Sequence, residues 1–347
     1  MSTETVVFVG EELSKYRFPD AHPVSSIDHQ GAFWAEAVVR GLDKRVVIGV
    51  PRLATREELE HFHTPDYVSW VKLRSEIGDG YLDDRRIRAQ RFGQEHQLQQ
   101  HLRRIGNDYL DDGDLGGGDM PAFPGVFERG AVVSGTALEG LDRIMKEQTC
   151  RTFQPIGGHH HARPSSAAGF CVFNDLGVVI ETLRARFGVQ RVGYVDIDAH
   201  HGDGIYYHYE TDPELIIVDI HEDGNFLYPG TGHRYEIGRG EAQGTKLNLP
   251  LRPGNGDGEF FTAWEEGLSH LRRYKPEFLI LQCGADGLAG DPMTDLCYTP
   301  AVHARIACEL RAFADEMCCG RLMAFGGGGY NPDNVVAAWM NTLTAII

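Results

Sequence analysis

Residues 192–204 read VGYVDIDAHHGDG. The first half is a continuous apolar run, the signature of a strand covered on both faces of a parallel sheet. The second half turns sharply and carries carboxylates and imidazoles. Similar apolar runs recur at 215–220 (LIIVDI), 278–283 (FLILQC) and 321–325 (RLMAF). Helical patterns at 174–187, 257–273 and 300–317 separate most of these runs, and another occupies 331–345. Such βαβ alternation predicts an α/β fold: a single open, mostly parallel, doubly wound sheet flanked by helices. Upstream, 126–147 carries a helical stripe (Val126, Ala131, Val133, Ala137, Leu138, Leu141, Ile144). Thr55 and Glu58 have the spacing of a capping box.

The length, 347 residues, gives two domains as a soft prior. The alternation around one sheet instead assigns 1–347 to a single domain. A polar, Gly/Asp-rich loop insertion is expected around 78–119, where no apolar periodicity is found. Lys and Arg number 33 against 50 Asp and Glu, a net charge of −17. That balance excludes a basic footprint for direct nucleic-acid binding. No apolar run approaches the roughly 18–20 residues that cross a bilayer. The first residues lack the basic and long apolar regions of a secretory signal. Seven cysteines, an odd number without CxxC spacing, point to a reducing, cytoplasmic setting rather than a disulfide framework. The oligomeric state stays open, a homo-oligomer included.

The chemistry sits where the strand runs end. In open α/β sheets, ligands bind beyond the carboxyl ends of the strands. Asp196, Asp198 and His200 follow the first run, His221 the second, Asp286 the third and Gly326–Tyr330 the fourth. Asp198 and His200 are two apart, so they share a face of an extended segment and can grip one cation. Asp286 supplies a third ligand, leaving a coordination position open, as in catalytic zinc sites. Nitrogen and carboxylate ligands without thiolate also suit Fe(II), Co(II) or Mn(II). Water activated by such an ion needs a base. The triplet His159-His160-His161 offers imidazoles, and Asp196 and Asp203 are available to tune them. The tetraglycine 326–329 is not a dinucleotide fingerprint, since GxGxxG would need glycine at Asn331. It would allow close backbone approach, Gly328 included, and place the Tyr330 hydroxyl over the site as an oxyanion donor.

Together the motifs HHA, GFCxFND, DIDAHHGDG, YPGTG, GADGLAGDP and GGGGYN, in this order, resemble the histone deacetylase family of the arginase–deacetylase superfamily. The similarity runs from Tyr16 and His22-Pro23 to the last helix. It implies Zn²⁺, one per chain, on Asp198, His200 and Asp286. It implies tandem catalytic histidines, His160 and His161, paired with Asp196 and Asp203, and a carbonyl-polarising Tyr330. Gly169 and Phe170 match the acyl-tunnel floor and wall, and Asp119 the rim aspartate that grips substrate backbone. A structural K⁺ near the Asp196–His200 loop is implied as well. The expected activity is hydrolysis of an acyl-amide, most simply acetyl-lysine in a protein or peptide, or a related acylated small amine. His161 is then the general base and His160 its electrostatic partner.

Several positions depart from the family pattern. Tyr228 stands where many members have the second tunnel phenylalanine. His159 precedes the histidine pair where an aromatic residue or Gly is usual. The arginine expected after His22-Pro23 is absent, and Asp28-His29 occupies that region. Asp219 replaces the serine of the potassium site. Met293 stands where polyamine-selective relatives often carry an acidic residue, which weakens an acetylpolyamine reading. A two-metal ureohydrolase would need carboxylates at 202 and 288, which are Gly202 and Leu288. A non-catalytic acyl-ligand binder and a DxDx phosphatase are the rivals of other classes. The former has every catalytic position intact against it, and the latter gives the histidine pair no role.

Overall fold

The computed structural model describes residues 4–20, 22, 28–83 and 120–347. Among these, eight strands form one sheet: β1 (Thr5–Phe8), β2 (Val46–Gly49), β3 (Arg151–Gln154), β4 (Val192–Asp196), β5 (Leu215–Glu222), β6 (Lys246–Leu251), β7 (Phe278–Gln282) and β8 (Leu322–Phe325). The order is β2-β1-β3-β8-β7-β4-β5-β6. Every neighbouring pair is parallel, so the mostly parallel expectation becomes wholly parallel.

The helices are α1 (Glu11–Ser14), α2 (His29–Val39), α3 (Arg56–Leu59), α4 (Pro65–Ile77), α5 (Val126–Met145), α6 (Asp175–Phe187), α7 (Asp203–His208), α8 (Asp257–Tyr274), α9 (Ala301–Met317) and α10 (Pro332–Ile346). Helices α2, α8, α9 and α10 bury Phe33, Trp264, Leu310 and Trp339 in one core. Helices α5, α6 and α7 bury Leu138, Leu183 and Ile205 in the other. The strands feed both by turns. Val195, Ile216, Val218, Leu279 and Leu281 enter the first core. Tyr194, Leu215, Ile217, Phe278 and Ile280 enter the second. A period of two between two apolar layers is why the sequence reads as unbroken apolar runs.

Four of the strands were not read from the sequence. β1 is only four residues long. β3, Arg151-Thr-Phe-Gln154, looks polar, yet Arg151 is buried and pairs with Asp315. β2 and β6 are the sheet edges, and β6 contains Pro250, which demotes a strand on sequence grounds and is tolerated at an edge.

Caps fix the chain where it leaves the site. The Asn174 side chain accepts from Gly177 N–H and opens α6. Asn331 caps α10 immediately after Tyr330, with Pro332 in the first turn. Each such cap contributes about 1 kcal/mol. The expected capping box at Thr55–Glu58 is present. The expected loop insertion around 78–119 lies mostly outside the described residues, but its flanks meet: Leu82 N–H donates to Met120 O at 2.8 Å, and Ala122 N–H to Gly80 O at 2.8 Å.

Candidate active site

Strands β3, β8, β7 and β4 are consecutive in the sheet, and their carboxyl ends deliver the predicted residues to one place. His160 and His161 follow β3, Gly328 and Tyr330 follow β8, Asp286 follows β7, and Asp196 to Asp203 end and follow β4. A cavity of about 100 Å³ is lined by His160, His161, Gly169, Phe170, Asp198, His200, Asp286, Gly328 and Tyr330.

Asp198, His200 and Asp286 are all buried, and one ligand atom from each lies within 4.8 Å of the others. His200 Nδ1 is 2.9 Å from Asp286 Oδ2 and 3.1 Å from Asp198 Oδ1. The outer oxygens are held by the protein. Asp198 Oδ2 accepts from Gln282 Nε2 and from Gly328 N–H, both at 2.8 Å. Asp286 Oδ1 accepts from Ala199 N–H at 2.8 Å. Burial and the adjacent Asp198 charge push the Asp286 carboxyl up to about 7. Two buried carboxylates this close call for a cation between them, and a mixed imidazole–carboxylate set fits a divalent ion such as zinc.

Beside this triad stand two histidine–carboxylate pairs. His160 Nδ1 donates to Asp196 Oδ2, and His161 Nδ1 to Asp203 Oδ1, each at 2.7 Å. Both Nε2 atoms face inward, 3.1 Å apart. The pairs are not equivalent. Burial pulls the His160 imidazole down, but Asp196 and Asp198 outweigh it and lift it to about 10. Burial and the neighbouring His160 hold His161 down at about 4. Asp203 is also bound by Arg163, at 2.6 Å, which keeps it ionised against its burial. Asp196 accepts a further hydrogen bond from the Tyr194 hydroxyl.

Gly169 and Phe170 occupy a two-residue turn between Ala168 and Cys171. Both have positive φ, 53° and 62°. A Cβ on Gly169 would lie 2.2 Å from His161 Cδ2, so only glycine lets the turn back onto that ring. Tyr228 and Met293 are 46% and 38% exposed. The Tyr228 ring centroid is 5.2 Å from that of His161. Asp119 lies outside the described residues.

Sequence reasoning missed Gln282, Arg163 and Asp175, which orient the predicted groups. Asp175 accepts from Gly158 N–H and His159 N–H at 2.9 and 2.8 Å, which shapes the turn before the histidine pair. Gln282 precedes the GAD motif by two residues, and Arg163 follows His161 by two. That adjacency was the available signal. The inner end of the cavity also differs from expectation. Arg129, from α5, lines the cavity with His29 and His159. It donates to Tyr16 O at 2.7 Å and packs over the Phe18 ring. Among the described residues no carboxylate pairs with it, and burial lowers it to about 10.

The sequence of residues 27–346 matches the histone deacetylase domain model. The chain belongs to the histone deacetylase family, whose members depend on zinc, and it is a deacetylase, a hydrolase of amide bonds. It is 32% identical over 338 residues to the acetoin utilization protein AcuC of Bacillus subtilis (strain 168), covering 97% of this chain and 80% of that protein. The AcuC of Staphylococcus xylosus is 30% identical, over 100% of this chain and 83% of its own. Among solved structures, the HDA15 HD domain superposes with a TM-score of 0.83 at 23% identity, over 99% of this chain and 88% of that one, a likeness of fold. No helix among the described residues is long and apolar enough to cross a membrane.

Proposed function

We propose that the chain is a single catalytic unit that hydrolyses the acyl-amide of an acylated lysine side chain, chiefly acetyl-lysine, in a protein or peptide. The observation that carries this is the convergence of Asp198, His200 and Asp286 with His161 and Tyr330 on one cavity of about 100 Å³, a volume suited to a short acyl group. A divalent ion held by the triad, zinc and one per chain in this reading, supplies Lewis acidity toward a carbonyl oxygen and toward water. Tyr330 donates its hydroxyl proton to the substrate carbonyl oxygen as charge develops there. Burial and the nearby carboxylates Asp286 and Asp198 keep that phenol protonated. His161 takes a proton from the attacking water at Nε2 while its Nδ1–H stays on Asp203. It then returns the proton to the departing amine. His160, held charged by Asp196, stabilises the negative charge between these events. Gly169 and Phe170 wall the acyl end, and Gly328 N–H holds Asp198 in place; the resemblance gives Asp119 the role of gripping substrate backbone.

Arg129 faces the end of the cavity where the carboxylate product is formed. A K⁺ ion near the Asp196–His200 loop would rest on main-chain carbonyls. The Asp219 carboxylate there is already engaged by His221 Nδ1 at 2.6 Å and Gly202 N–H at 2.9 Å. The free cysteines fit a cytoplasmic setting. An acylated small amine is the second reading, and Met293 at the mouth weighs against a polyamine. Of the two acidic residues two positions away, Asp291 is buried with its oxygens on backbone N–H groups, and Asp295 is exposed. The test is a panel of acyl lengths on lysine peptides and polyamines with zinc-loaded protein. Turnover highest on acetyl-lysine peptides supports the reading. Absence of metal-dependent turnover across the panel would refute it.

A further inference from the structure

Gly326–Gly329 is the segment least able to hold a side chain still, because glycine has the widest backbone freedom. Its main chain is nevertheless tied down at successive residues. Gly326 N–H donates to Gln154 O at 3.0 Å, Gly327 N–H to Gly157 O at 2.9 Å, and Ala285 N–H to Gly328 O at 2.7 Å. These ties come from the ends of neighbouring strands. The last peptide unit before the tyrosine is held differently, by two side chains from outside the sheet.

The carbonyl of Gly329 accepts from His29 Nε2 at 2.7 Å. A carbonyl only accepts, so this imidazole carries its proton on Nε2. The N–H of Tyr330, the other polar end of the same planar unit, donates to Asp291 Oδ2 at 2.7 Å. Asp291 Oδ1 accepts from Met293 N–H at 2.9 Å, so one carboxylate joins the Met293 and Tyr330 main chains. Gly329 has φ of 140°, and a Cβ there would lie 2.7 Å from Val335 Cγ2. The unit therefore cannot be stiffened by a side chain at 329. His29 opens α2 and Asp291 lies in the loop after β7, more than 250 positions apart in sequence.

We propose that His29 and Asp291 act as positioning residues. By gripping the two polar ends of the Gly329–Tyr330 peptide plane, they set where the Tyr330 hydroxyl meets the substrate carbonyl. This rests on the deacetylase reading above, in which Tyr330 is the carbonyl donor. Holding a donor in place is worth much in rate, since a displacement of about 1 Å can cost on the order of 10²-fold. Asp291→Ala removes the acceptor from Tyr330 N–H. His29→Ala removes the donor, and His29→Gln restores an N–H.

The experiment is a double-mutant cycle on zinc-loaded full-length protein with an acetyl-lysine peptide, with zinc content and thermal midpoint followed alongside. Asp291→Ala and His29→Ala are each expected to lower kcat roughly 10–100-fold with KM within about twofold. His29→Gln should recover most of that loss. In the Tyr330→Phe background, where no hydroxyl remains to be positioned, the same changes should cost less than about threefold further. Losses that multiply in that background, or losses carried by KM or by zinc release, would overturn the proposal. If Tyr330→Phe itself leaves kcat unchanged, the carbonyl-donor reading is what fails. If only Tyr330→Phe is slow and both clamp variants are normal, the clamp alone fails.

Discussion

At the floor of the cavity Asp198, His200 and Asp286 are 1%, 7% and 0% exposed, and both carboxylates carry an additional main-chain or amide donor. At the mouth Tyr228, edge-on to His161, is 46% exposed, and Met293, bonded through its N–H to Asp291, is 38% exposed. The floor is a set of charges whose positions are fixed by strand ends. The mouth is an apolar surface on loops. The difference teaches where energy is at stake. Buried charges that lose a partner cost several kcal/mol, whereas exposed side chains are close to neutral.

The largest break in that contrast comes from Asp286→Ala or His200→Ala. Either should abolish tight metal binding, read as zinc per chain after dialysis. It should lower kcat by about 10³-fold or more, since an ion of this kind supplies several kcal/mol. Retained stoichiometric zinc would show that the triad is not the site. Next come the acid–base groups. His161→Ala should cost on the order of 10²–10⁴-fold in kcat, more than His160→Ala, and Tyr330→Phe about 10²–10³-fold. Equal losses at both histidines would remove the asymmetry drawn between them.

A smaller effect concerns stability. Two buried histidines away from the site, His63 and His303, are held neutral. Burial lowers His63 to about 3 and His303 to about 4, against an ordinary 6.5. Their folded values lie below their unfolded ones. The folded state therefore loses nothing above pH 6.5 and loses stability as pH falls toward 3–4, where the unfolded chain binds the extra protons. At pH 5 His63 alone accounts for about 2 kcal/mol. His63 accepts from Asn174 N–H at 2.9 Å, so the His63→Gln chain keeps an acceptor but no titration. Urea unfolding of zinc-loaded protein from pH 7 to 5 should show a slope shallower by about one proton in that variant. An unchanged slope would mean that His63 is charged in the fold. The smallest effects belong to the mouth. Tyr228→Phe should move kcat/KM by no more than about threefold, and Met293→Glu should favour acetylated polyamines over neutral acyl-amides by about tenfold or less. A change at the mouth as large as one at the floor would dissolve the distinction.

The sequence made the floor legible and left its supports obscure, for physical reasons. Asp198, His200 and Asp286 follow apolar runs that alternate between two cores, so their strands announce themselves. The supports are groups whose partners are remote. Adjacency to the GAD motif marks Gln282 but not its bond to Asp198, and nothing at His29 or Asp291 signals a shared peptide. Arg129 sits in an ordinary amphipathic helix, and only the folded chain shows it lining the cavity. β3 and β6 were missed because burial overrode the polarity of Arg151 and Lys246. Lys246 is buried with its ammonium donating to Asp212 O and to Leu215 O.

One last feature is the short antiparallel stitch between 80–82 and 120–122. Because these two points are already joined through main-chain hydrogen bonds, a longer connection between them leaves the sheet's own pairing unchanged. The entropy of such closure grows only with the logarithm of length, about 0.6 kcal/mol for each doubling. Evolution can therefore lengthen, trim or rewrite that stretch while the catalytic floor keeps its geometry. Descendants of this protein could be refitted for new substrates by editing one span of chain, with the reaction left as it is.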